Sequence, residues 1–164
     1  MSAWVRHYGS GKVKAIVTGA TGFLGGHVVS HLLNQGWQVI ALGRNTTAGA
    51  KLSQQGAIFK VADIVDLQAL QAVFESADVI FIGGTGGDTA EIVKLSENKL
   101  KSGGRIVIGI ILIETLYSVL QILDKLKFDS IDITQVTISK SRKTTTGTMM
   151  LARNPVTIIS ATKI

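Results

Sequence analysis

Val13-Lys14-Ala15-Ile16-Val17-Thr18-Gly19-Ala20-Thr21-Gly22-Phe23-Leu24-Gly25 is the stretch that decides the fold. Its first six residues make a short apolar run, as expected of a strand buried on both faces of a parallel sheet. Glycines at 19, 22 and 25 then open a helix over residues 22–35, with Leu24, Val28 and Leu32 facing inward. Gly19 permits a tight turn, Gly22 lets the backbone approach a pyrophosphate, and Gly25 lets the helix sit close on the strand. The helix N-terminus offers free N–H groups and the positive end of its dipole to an anion.

Working outward, strands are expected at residues 38–42, 57–61, 79–82 and 105–110. Helices are expected at 47–55, at 67–76, from the turn at 83–87 to about 101, and at 113–126. Gly56 closes one helix and Asp66 caps the next. Residues 130–139 and 156–161 read as two long strands joined by a loop, an antiparallel pair at the edge of the sheet. The expected fold is α/β: a three-layer, Rossmann-like, doubly wound sheet of about seven strands, mostly parallel, with its last strand antiparallel. It reads as a single domain over 1–164: a leader at 1–11, a front half at 12–82 and a rear half at 83–164. Ligands of such a sheet bind at the carboxyl ends of the strands.

Of the 164 residues 46% are apolar and 17% charged, which suits a core of buried strands. With no cysteine there is no disulfide, thiolate metal site or cysteine nucleophile, and a reducing cytoplasm fits. His27 and His31 lie four apart on the first helix without a carboxylate or cysteine partner, so no metal is expected. The leader has no apolar run of the kind a signal peptide needs. The longest apolar stretch, 106–113, falls short of the ~20 residues of a spanning helix. A soluble chain with no membrane partner is therefore expected. The net charge is +6, and from Ile133 onward Lys140, Arg142, Lys143, Arg153 and Lys163 stand with no acidic residue. This reads either as a solvated edge or as a patch for a polyanion. Nucleic acid is not expected: there is no binding motif and only 5% of residues are aromatic.

From about residue 12 to 82, through T-G-A-T-G-F-L-G at 18–25, the chain resembles the extended short-chain dehydrogenase/reductases of the NAD(P)-dependent epimerase/dehydratase type. That resemblance implies a dinucleotide held by Gly19, Thr21, Gly22, Phe23, Leu24 and Gly25, by Arg44 and Asn45 after the second strand, by Asp63 and Ile64 after the third, and by Gly83 and Gly84 after the fourth. An acid at position 44 would bind the ribose of NAD, whereas Arg44 suits the 2′-phosphate of NADP. The family's catalytic Tyr-x-x-x-Lys occurs only as Tyr8 and Lys12, ahead of the first strand, and Tyr117 is followed by Gln121. No catalytic residue of that kind is assigned.

G-G-T-G-G at 83–87, K-L-K-S-G-G-R-I-V-I at 99–108, I-L-I-E-T-L-Y at 111–117 and G-T-M-M-L-A-R-N-P-V at 147–156 occur in order. Over 79–163 the chain thus resembles the decarboxylating precorrin methyltransferases of cobalamin biosynthesis. The resemblance implies S-adenosylmethionine, a substrate rich in carboxylates for Lys140, Arg142, Lys143 and Arg153, and assembly of copies through the rear half. Glu114, Thr115 and Tyr117 match its motif, and Glu114 also complements a helix dipole. The acid that anchors the ribose of S-adenosylmethionine in that family stands at the end of the second strand, where this chain has Gly43 and Arg44.

Taken together, the residues read as a chimera joined near 78–84. The leading expectation is a dinucleotide-binding domain that prefers NADP to NAD and lacks efficient catalysis. The alternatives are an S-adenosylmethionine-dependent precorrin-type methyltransferase and a scaffold that holds no cofactor.

Overall fold

The computed structural model describes residues 12–83 and 88–164. Among them, β1 (Lys14–Val17), β2 (Gln38–Gly43), β3 (Ile58–Val61), β4 (Ala77–Ile82), β5 (Leu100–Ile110), β6 (Phe128–Val136) and β9 (Val156–Lys163) form one sheet in the order β3-β2-β1-β4-β5-β9-β6. The first five strands are parallel, and β9 is inserted antiparallel between β5 and β6. The expected doubly wound sheet with an antiparallel last strand is thus present. The strand order reverses between β1 and β4, and the carboxyl ends there leave the crevice where such sheets take ligands.

Ala15, Ile16 and Val17 are fully enclosed, as are Ile80, Ile82, Ile106 and Ile108, because helices lie on both faces. On one face α1 (Phe23–Asn34) and α2 (Thr46–Gln54) cover Val17, Val39, Ala41 and Phe81. On the other, α3 (Leu67–Val73), α4 (Thr89–Lys99) and α5 (Ile113–Lys125) cover Ile16, Ile40, Ile80 and Ile106. β9 is antiparallel and alternates, with Thr157, Ile159 and Ala161 turned into the core.

Two elements depart from expectation. Where a loop is expected after β6, β7 (Ser139–Lys143) and β8 (Thr148–Ala152) pair as a separate antiparallel hairpin. Thr144 N donates to Gly147 O at 2.7 Å to close its turn. Almost every side chain of the hairpin is exposed, so no apolar period marks it in the sequence. β5 begins at Leu100, five residues early, and crosses a register shift opposite Ala77 and Val79. Gly103 (φ 75°) and Gly104 make this possible: a Cβ at 104 would stand 2.7 Å from Lys101 O.

Charge pairs tie the amino-terminal ends of the strands. Asp78, nearly buried, accepts from Lys14 N (2.8 Å) and Lys101 Nζ (2.7 Å), joining β1, β4 and β5. Glu75 accepts from Lys60 Nζ (2.6 Å) and Lys14 Nζ (3.1 Å). Lys60 first and Lys14 second hold its carboxyl below the usual carboxylate range.

Two outcomes follow. Ile80→Ala should lower stability by about 2–5 kcal/mol, read from urea denaturation, since it opens a void in the central strand. Because Glu75 is lowered in the folded state, its stabilisation is present above the unfolded carboxylate pKa and lost as pH falls through the folded value. Glu75→Gln should therefore reduce the melting temperature slightly at neutral pH and leave it unchanged in acid, the effect being small because Glu75 is half exposed.

Candidate functional site

The β1–α1 turn lies at the switch point. Gly19 takes φ 63°, a conformation that L side chains rarely adopt. A Cβ at Gly25 would stand 2.2 Å from Gly19 O and 2.8 Å from Ala20 Cα, so only glycine lets α1 lie this close. Ala20 N donates to Leu42 O and Thr18 N to Phe81 O, both at 2.9 Å, fastening the turn to β2 and β4. Gly83 N donates to Thr18 Oγ1 at 3.3 Å and holds the end of β4 against β1. Thr21 packs on the end of β2, where a Cβ at Gly43 would meet its Oγ1 at 2.6 Å.

Among the described residues, three of the five helices carry side-chain caps. Asn45 accepts from Ala48 N, Asp66 from Ala69 N, and Asp88 from Ala90 N and Glu91 N. Asn45, expected beside a cofactor, is also the N-cap of α2. By contrast α1 starts at Gly22 with no side-chain cap and no acid in its first turn. The first N–H groups of a helix have no partner inside it, so an uncapped start at the crevice can receive an anion.

Arg44 and Asp63 meet above the ends of β2 and β3, with Nη1 3.5 Å from Oδ2. The Gly43–Val61 register brings them together. Asp63 Oδ1 also accepts from Val65 N at 3.2 Å, while Ile64 packs against the core. Arg44 is largely exposed, which leaves its donors open to a ligand. Gly84 lies outside the described residues, as does Tyr8.

An apolar rim at this same edge escapes sequence reading. Phe23 is 84% exposed, Ile111 60%, Leu112 61% and Ile113 79%. Leu24 reaches to 3.9 Å from a Cβ placed on Gly109, near the end of β5. Read along the chain, Ile111–Ile113 continues the core run of β5, and only the strand's end at Ile110 puts these side chains in solvent. Tyr117, in the first turns of α5, accepts from Gln121 Nε2 at 2.7 Å.

The basic residues divide. In the β7–β8 hairpin Lys140 stands opposite Leu151 and Arg142 opposite Met149, on one face, while Lys143 pairs with Thr148 on the other. Arg153 follows β8, and its N donates to Ile138 O at 2.8 Å. β6 runs parallel to β5 through β9, so the hairpin leaves the sheet from the edge that carries the glycine turn. Of the two histidines, His27 meets the Phe23 ring edge-on at 4.8 Å, and His31 is exposed farther along α1.

Comparison with known proteins corrects the leading expectation. Residues 15–101 match the NAD dependent epimerase/dehydratase family. The chain is 45% identical over 94 residues to a probable cobalt-precorrin-6B C(15)-methyltransferase (decarboxylating) of Saccharolobus solfataricus, covering 57% of this chain and 47% of that one. It spans about half the length of the curated relatives it matches. Among solved structures, precorrin 8w decarboxylase of Methanobacterium thermoautotrophicum superposes with TM-score 0.70 at 31% identity, over 93% of this chain and 82% of that one. Precorrin-6y C5,15-methyltransferase of Geobacter metallireducens gives 0.73 at 25%, over 93% and 82%.

The expected dinucleotide-binding chimera without efficient catalysis, with NADP or NAD as cofactor, is overturned by these methyltransferase relatives and structures. The physical reason lies in the glycine turn. It presents backbone N–H groups to any anionic part of a nucleotide cofactor, and so does not choose among cofactors. The rear strands β5-β9-β6 carry the discriminating topology. Residues 15–101 place the chain in the NAD dependent epimerase/dehydratase family, and by overall fold and sequence it belongs with the decarboxylating precorrin methyltransferases.

Proposed function

We propose that this chain is an S-adenosylmethionine-dependent methyltransferase of the precorrin type, acting on a large substrate that carries carboxylates. The observation that carries the reading is the uncapped start of α1 at the switch point of a sheet with methyltransferase strand order. The residues present fit the cofactor at two of three parts. The α1 N–H groups beyond Gly22 suit its methionine carboxylate, and Asp63 with Ile64 suits the adenine. At the ribose, Arg44 stands instead of a carboxylate and would donate to the hydroxyl oxygens rather than accept from them.

When bound, S-adenosylmethionine supplies an electrophilic methyl group. The protein's own part is to position and to exclude water. Phe23, Leu24 and Ile111–Ile113 offer an apolar surface to the body of a substrate. Lys140 and Arg142, side by side on the hairpin, are suited to its carboxylates. Gly19, Gly22, Gly25 and Gly83 set the backbone of the pocket. No side chain is assigned a proton-transfer role.

The same proposal reads the chain as one domain, with a dehydrogenase-type front half joined to a methyltransferase rear half near 78–84. The strand pairing of β1 with β4 across that seam supports it. We place the protein in the cytoplasm, and among the described residues no helix is long and apolar enough to cross a membrane. Assembly through the C-terminal half is part of the reading. Edge strand β6 leaves Ile131, Ile133 and Val136 exposed, with Ile138, Met149 and Met150 beyond it.

Calorimetric titration with S-adenosylmethionine should show saturable binding; a folded protein that gives no heat overturns the proposal. Asp63→Asn should weaken that binding about tenfold, the order expected for one hydrogen bond to a charged group. Arg44→Glu should strengthen it by a similar factor, and unchanged affinity would show that Arg44 does not face the ribose. Ile133→Lys should shift the protein toward monomer in analytical ultracentrifugation without lowering its melting temperature.

A further inference from the structure

All eleven carboxylates of the chain lie among the described residues. Glu75 and Asp78 bind lysines at the amino-terminal ends of the strands. At the carboxyl edge Asp66 and Asp88 are engaged as the caps of α3 and α4, and Glu114 lies in the first turn of α5. The carboxylate at the end of β2 is Asp63, and it is paired with Arg44. Arg44 itself stands close to the glycine turn. Ala20 N donates to Leu42 O at 2.9 Å, and Thr21 packs against Gly43, the residue before Arg44. The formal charges of Arg44 and Asp63 cancel, so this corner of the crevice has a cation where an acid would make it negative.

We propose that Arg44 sets the preference of this site between two charge states of its ligand, holding the neutral thioether S-adenosylhomocysteine more tightly than the cationic sulfonium S-adenosylmethionine, so that the protein is restrained by its own product. This preference rests on the S-adenosylmethionine reading of the site. The two molecules differ by one methyl group and one positive charge. The sulfur is bonded to C5′ of the ribose, so a charge beside the ribose hydroxyls lies within about one Debye length of it, roughly 8–10 Å. A carboxylate at position 44 would attract the sulfonium, whereas a guanidinium repels it and acts little on the thioether. At that separation one unit charge changes the preference about threefold, for a medium between a protein surface and water. Hydrogen bonds to the ribose are common to both molecules and cancel in the ratio of their affinities. Turnover then depends on a second reaction that consumes the thioether.

The test is calorimetric titration of the parent, Arg44→Gln, Arg44→Glu and Asp63→Asn at low salt. The probes are both molecules and sinefungin, in which a protonated amine stands in place of the sulfonium. Arg44 is largely exposed, so its replacement leaves the core intact, and circular dichroism checks that each variant is folded. S-adenosylhomocysteine should bind the parent more tightly than S-adenosylmethionine. Arg44→Gln should narrow that ratio about threefold and Arg44→Glu about tenfold, whereas Asp63→Asn should widen it about threefold. Sinefungin should follow S-adenosylmethionine, and high salt should shrink every change. Tighter binding of S-adenosylmethionine by the parent, or a ratio that is the same in all four proteins, overturns the preference and leaves the methyltransferase reading standing. So does a shift in the same direction with Arg44→Gln and Asp63→Asn, which would make the pair a strap between β2 and β3. A folded parent that binds none of the three molecules overturns both.

Discussion

The close approach of α1 to the turn that precedes it governs the carboxyl edge of this protein. A side chain at residue 25 would bring its Cβ 2.2 Å from Gly19 O, so the packing exists only because Gly25 has none. Seated this way, α1 buries Val29 against the sheet and points its uncapped start into the gap between β1 and β4. Thr21 can then rest on Gly43, where a Cβ would leave no room. α2, α3 and α4 cap their first N–H groups with Asn45, Asp66 and Asp88, whereas α1 starts at Gly22 without a side-chain cap. A turn of this kind offers backbone N–H groups and the positive end of the helix dipole without a charged side chain.

β4 joins the front strands of the sheet to the rear ones. Ala15, Ile16 and Val17 pair with Val79, Ile80 and Phe81 through backbone bonds that do not depend on family. Asp78 at one end and the Thr18–Gly83 bond at the other fix its placement. The adjoining faces are simple apolar surfaces, Ile80 and Ile82 toward one helix layer and Phe81 toward the other. Such a strand demands of its neighbours only that they be buried and parallel.

The remaining surface is unevenly finished. Among the described residues three helices cover one face and two the other, and a cavity on the second face is lined by Trp37 and Arg105. On the far edge, β6 and the hairpin expose aliphatic and thioether side chains next to Lys140 and Arg142. On an edge strand, natural proteins usually limit apolar surface of this kind.

Much of this could be read along the chain, because it is written in local chemistry. The apolar strands, the glycine turn, the alternation of strand and helix and the antiparallel ending all follow from residue periodicity and from glycine's freedom at Gly19 and Gly25. The hairpin escaped because side chains wetted on both faces leave no apolar period. That Asn45 also caps a helix could not be read ahead, since this role depends on where α2 begins. The pairing of Arg44 with Asp63 required the β2–β3 register, and the exposure of Ile111–Ile113 required knowing where β5 ends. Cofactor choice was misread for the same reason, because a turn built of backbone N–H groups serves more than one anion. The amino-acid sequence by itself determined most of the elements and the glycine turn, both set by interactions within a few residues. The tertiary structure alone decided strand order, the cover of each face and which side chains share an edge, because these arise from contacts between segments far apart in the chain.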